Sequence, residues 1–148
     1  MNSNVIRTFG IIMLILLVLG TVIALLFYWN SFILRGLVSD FKAELRAAEG
    51  IEIVETVSDY GKLNGNGNGI NYFGAVLVKV DNPDVLDTLV SLNKDFDVMN
   101  YYKQENREID LNYAEHAHLS FESHGDYYVV WFYQGEHPMS NPLDIKGH

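Results

Sequence analysis

Residues 115–124, Glu-His-Ala-His-Leu-Ser-Phe-Glu-Ser-His, hold the densest set of reactive side chains in the chain. Laid out as a strand, where neighbours point to opposite faces, Ala117, Leu119 and Phe121 face one way. His116, His118, Ser120, Glu122 and His124 face the other. A two-residue turn at Gly125-Asp126 then sets His124 opposite Tyr127, Ser120 opposite Trp131 and His118 opposite Tyr133. Two chemistries follow. His116 and His118 form a workable pair of zinc ligands, the basis of a metal-dependent protein. Yet His118 and Glu122 stand roughly 13 Å apart along a strand, too far for one ion without a bulge. The other chemistry is recognition, with Tyr127, Trp131 and Tyr133 supplying flat apolar area and His116, His118 and Ser120 supplying hydrogen bonds. A plainer reading is preferred to both: a partly solvated sheet face, or one covered by the helix next to the apolar span.

Other reactive-looking stretches fall short. The Asn-Gly repeat of residues 64–69 tolerates positive φ throughout, but a phosphate-cradling loop needs a helix with Lys and Ser or Thr directly after it, and a strand follows here. It is expected to be a hairpin tip. Asn93, Asp95 and Asp97 imitate the opening of a calcium loop. The sixth position is Val98 where Gly is required, and the twelfth is Gln104, so these residues are expected to be a solvated helix-to-strand connection. There is no Cys nucleophile and no Gly-x-Ser-x-Gly elbow, and no acid is placed to orient a His beside Ser120. No catalytic set emerges, so neither an enzyme nor a cofactor is expected.

The elements that must position these residues begin with an uncharged stretch. Residues 9–29, FGIIMLILLVLGTVIALLFYW, carry no charge, and none appears between Arg7 and Arg35. As a helix they span roughly 30 Å, the thickness of a bilayer's hydrocarbon core. Phe27, Tyr28 and Trp29 suit the interface. The run is longer than the usual apolar region of a cleaved signal peptide, so an uncleaved anchor is expected despite the small-residue site ending at Ala24. Residues 30–50 continue as an amphipathic helix, with Leu34, Leu37, Val38, Phe41, Leu45 and Ala48 at three- and four-residue steps. Gly50 is placed as its cap and Gly36 is the weak point of an otherwise unbroken rod.

Residues 51–60 alternate, with Ile51, Ile53, Glu55 and Val57 on one face, and residues 70–80 complete an antiparallel hairpin. Asn82-Pro83 opens a helix whose buried stripe is Val85, Leu86, Leu89, Val90 and Leu92. Strands are expected at 96–104, within 109–123, and at 127–134, after which Pro138 and Pro142 leave a loose tail. The organisation is a short tail at 1–8, a transmembrane helix at 9–29, a membrane-proximal helix at 30–50, a domain at 51–135 and a flexible end at 136–148. The fold class is α+β: a small antiparallel sheet, β-β-α-β-β-β, with helices on one face.

Charge and partners bound what such a domain does. Past residue 29 there are nine Lys and Arg against nineteen Asp and Glu, a net charge near −10 that repels phosphate backbones. No nucleic acid is expected as a partner. The bilayer is one, and a protein partner is a second. Absence of Cys fits the cytoplasm and the outer face of a bacterial cell equally. Arg35, Lys42 and Arg46 past the span lean towards a cytoplasmic domain by a count of basic residues. Arg7 ahead of an uncharged anchor favours export, and an extracytoplasmic domain is the preferred orientation.

A hydrophobic N-terminal helix running into an antiparallel sheet is similar in layout to type IV pilins. That family places Glu five residues after its processing Gly, whereas here Gly10 leads to Ile15 and the charged leader is poor. No residue is carried across and no family assigned. The sequence supports a single-pass membrane protein whose small domain binds something near the bilayer without catalysis. The alternatives are a zinc-dependent protein and a subunit of a larger membrane complex held through its span. Oligomeric state is not written in the residues.

Overall fold

The computed structural model of the chain describes residues 3–61, 69–103, 127–135 and 137–140. A single helix α1, Ser3–Ala47, runs without interruption for 45 residues, about 68 Å. Both expected helices are thus one rod. Gly36 does not break it, because nothing approaches that position and the turns on either side hold their hydrogen bonds. The helix stops where Gly50 turns back at φ 77°, a left-handed conformation that favours glycine. The Asp81 N–H donates to the Gly50 carbonyl across 3.2 Å and closes this corner.

Beyond α1 come β1 (Ile51–Gly61), β2 (Asn71–Val80), α2 (Asp84–Leu92), β3 (Val98–Lys103) and β4 (Tyr128–Gln134). The fold is α+β, with the four strands in one antiparallel sheet in the order β1-β2-β4-β3. The strand expected within 109–123 lies outside the described residues.

Both helices pack on one face of this sheet. Phe41 and Leu45 of α1 and Leu86 of α2 meet Val76, Val78, Met99, Val130 and Phe132, with Phe96 closing the cluster. Three rings form its centre: Phe96 and Phe132 stack at 4.4 Å, and Phe41 meets each of them edge-on, at 5.6 and 4.9 Å. A buried side chain of this size contributes on the order of 1.5–3 kcal/mol. Phe132 lies flat over Gly74 of the neighbouring strand, so close that a Cβ there would stand 2.3 Å from the ring.

Two regular patterns expected from the sequence are broken. β1 does not alternate throughout, because a bulge between Ile53 and Glu55 shifts its register against β2. Ile51 and Ile53 therefore face the helices, while Val57 joins the opposite face. The α2 stripe ends early: Leu86 is fully buried and Val85, Leu89 and Val90 pack on the core, but Leu92 is 66% exposed. At the other end of α2, Asn82 caps as expected, its Oδ1 accepting the Asp84 N–H at 3.1 Å.

Candidate functional site

The described residues converge most densely where the apolar stretch of α1 ends. Ile6–Leu26 is long and apolar enough to cross a membrane, and none of it is buried. Four residues later Asn30 is fully buried. A buried amide without partners costs more than most contacts return, and Asn30 is satisfied by the sheet: its Oδ1 accepts the Tyr72 hydroxyl at 3.1 Å. The same hydroxyl lies 2.8 Å from Ser140 Oγ. On either side of Asn30, Ser31 Oγ donates to the Tyr60 hydroxyl at 3.1 Å, and Trp29 Nε1 donates to the Met139 carbonyl at 2.7 Å. Tyr60 and Tyr72 stack at 6.2 Å above Leu34 and Ile70, and the His137 ring stands edge-on to Tyr72.

This knot pins three pieces of chain to one level of α1: the end of β1, the start of β2, and residues 137–140. The loose tail expected after residue 135 is therefore, over 137–140, a turn. The Ser140 N–H donates to the His137 carbonyl at 2.8 Å, and the Met139 N–H to His137 Nδ1 at 3.2 Å. Because β1 ends and β2 begins here, the two ends of the Asn-Gly connection stand beside the exit of the apolar stretch. Residues 62–68 themselves lie outside the described residues.

Of the residues proposed as a site, His116, His118 and Ser120 lie outside the described residues, as do Glu122 and His124. Tyr127, Trp131 and Tyr133 do share one face of the sheet, with Val129 between them. That face is opposite the helices, so the membrane-proximal helix is not what covers it. Trp131 is 6% exposed, tilted against Phe73 at 6.1 Å, in a cluster with Ala75, Leu77 and Val129. Its ring is part of this buried cluster. Tyr127 and Tyr133 are half-buried at the margin of that cluster.

Carboxylates mark two further seams. Glu44 on α1 has its carboxyl pushed up by partial burial, then by a hydrogen bond to Asp95 and the negative charge of Asp95 and Asp40. The Tyr101 hydroxyl donates to Asp87 Oδ1 at 2.7 Å, a bond that holds its proton and raises its pKa. Asn93 organises the helix-to-strand connection, as expected: its Oδ1 accepts the Asp95 and Phe96 N–H groups and its Nδ2 donates to the Phe96 carbonyl. Asp97 accepts the Gly135 N–H at 2.7 Å and so ties this connection to the end of β4. Among the described residues no group of three His, Asp or Glu stands close enough to hold a metal ion.

The knot at Asn30 was not foreseen from the sequence. One signal pointed there: Asn30 sits at the head of the 30, 34, 37, 38, 41, 45 series, so the helical period places it on the buried stripe. No protein-family model, curated protein or solved structure matches this chain.

Proposed function

We propose that this chain is a single-pass membrane protein whose small α+β domain is held against the bilayer, on its outer side, to bind a protein partner without catalysis. One observation carries the reading. The helix that offers Ile6–Leu26 to lipid also supplies Leu34, Phe41 and Leu45 to the domain's core, so anchor and domain are a single body. An anchor on a flexible tether only localises; an anchor built into the core also fixes which way the domain faces. The surface offered for binding is the margin of the sheet face opposite α1, where Tyr127 and Tyr133 keep part of their rings accessible.

Protease shaving of intact cells, combined with photo-crosslinking of the full chain in its own membrane, tests this. The expected result is digestion of the domain from outside and a discrete adduct from a crosslinker at Tyr133, with none from one at the exposed Val54 of β1. A protected domain overturns the orientation. Equal or absent adducts from both positions overturn the binding surface.

A further inference from the structure

We propose that the flank of α1 bordered by β1 is a binding site for an anionic phospholipid, its acyl chain lying along the outer end of the span and its headgroup held by Arg35 and Lys42. The inference rests on the reading of Ile6–Leu26 as a membrane span. Two hollows lie end to end on this side of the helix and share one residue. The first, about 290 Å³, is lined by Ala24, Leu25, Tyr28 and Phe32 and ends at Arg35. The second, about 260 Å³, begins at Arg35 and continues past Ser39, Lys42 and Arg46, with Ser58 of β1 as its wall. An apolar trough that passes directly into a basic one matches an amphiphile with a negative head.

The position along the helix fits. Arg35 lies six residues beyond Trp29, roughly 9 Å, and Lys42 about 10 Å further. Side chains on a helix slope back towards its N-terminus, so both cations reach towards the bilayer, and long basic side chains settle their heads at the lipid surface. Phe32 is 65% exposed and Tyr28 64% exposed, rings that hydrocarbon would cover.

Charge distribution singles out the same strip. Three of the nine basic residues past the span stand on it, in a domain whose net charge near −10 would otherwise be repelled by an anionic surface. Among the described residues none of the three is held in an ion pair with a carboxylate, so their charge is available to a ligand.

The test uses the full chain reconstituted into vesicles of four parts phosphatidylcholine to one part phosphatidylglycerol, with bromine on the acyl chains of one lipid or the other. Trp29 lies at the level of Tyr28 and Phe32 and reports neighbouring bromine by quenching, whereas Trp131 is buried in the sheet. With one quarter of the phosphatidylcholine brominated, so that the two brominated lipids stand at equal mole fraction, brominated phosphatidylglycerol is expected to be enriched around Trp29 about thirtyfold over brominated phosphatidylcholine, as about 1 kcal/mol from each of the two cations at an anionic surface implies. The R35Q/K42Q variant should lose that preference, and K79Q/K94Q, which removes two exposed cations from elsewhere on the domain, should keep it. Unchanged Trp131 emission certifies the fold of both variants. Equal quenching by the two lipids in the native chain, or a preference that survives R35Q/K42Q, overturns the inference while leaving the span intact. Absence of quenching by either lipid overturns the span reading and this inference with it.

Discussion

At the scale of single residues, the molecule turns on Asn30. Its burial is tolerated because the Tyr72 hydroxyl donates to its Oδ1, and that hydroxyl is paired in turn with Ser140 Oγ of the turn at 137–140. Removing the amide takes one of two partners from a buried hydroxyl, a loss of about 0.5–1.5 kcal/mol. Asn30→Ala is therefore expected to lower the thermal midpoint of the full chain in detergent. Tyr72→Phe should cost at least as much, since it deprives both Asn30 Oδ1 and Ser140 Oγ of a partner. Asn30→Ala combined with Tyr72→Phe should fall short of the sum, because each alone already breaks the same bond. Additive losses in that cycle would show that the two side chains act independently.

Between elements, the ties that matter join α1 to the far end of the sheet. Glu44 meets Asp95, in the connection between α2 and β3, and its raised pKa means that the folded chain holds the Glu44 proton more tightly than the unfolded chain does. Where the unfolded state has lost that proton and the folded state has kept it, stability falls as pH rises. This loss begins near the ordinary carboxyl value and is complete once pH passes the raised folded value. Glu44→Gln has no proton to lose there, so its stability relative to the native chain should increase with pH across that window. Urea midpoints at a series of pH values from acid to neutral check the sign, and a constant difference between the two proteins would exclude Glu44 as the source.

Among the described residues, β2, β4 and both helices were readable at this scale because their patterns are long: β-branched runs at 71–80 and 128–134, a three- and four-residue rhythm from Leu34 to Leu45. What was not readable came from single insertions and from cover. One extra residue near Val54 moves Val57 to the other face, and no local composition marks it. Trp131 reads from sequence as a ring on a half-polar face; only the tertiary packing around Phe73 and Val129 makes it core. Leu92 follows the rhythm of α2 but is its last residue, and it stands exposed.

For the molecule as a whole, the apolar stretch and the domain differ in what they require. Ile6–Leu26 is wholly unburied, so its specific side chains contribute nothing to the domain's packing. Exchanging it for polyleucine of equal length is expected to leave the domain's unfolding free energy in detergent within about 0.5 kcal/mol, the range of surface substitutions. Calorimetry or denaturant titration measures this, and a larger loss would mean that the stretch packs against the domain. The same exchange performed in cells separates the two functional readings. Retained partner crosslinking from Tyr133 supports recognition by the sheet, whereas its loss favours a larger membrane complex joined through the helix.

The unbroken helix has a mechanical consequence. Ala47 stands eighteen residues past Trp29, about 27 Å along a stiff axis, with no hinge between them. Transmembrane helices lean to match the thickness of the lipid around them, typically by about 20°. With Ile6–Leu26 seated in a bilayer, as proposed, a lean of that size would carry the far corner of the sheet sideways by roughly 9 Å, and the domain would behave as the needle of a gauge. A thicker or thinner membrane would then redirect the half-buried Tyr127 and Tyr133 without changing a single contact inside the domain.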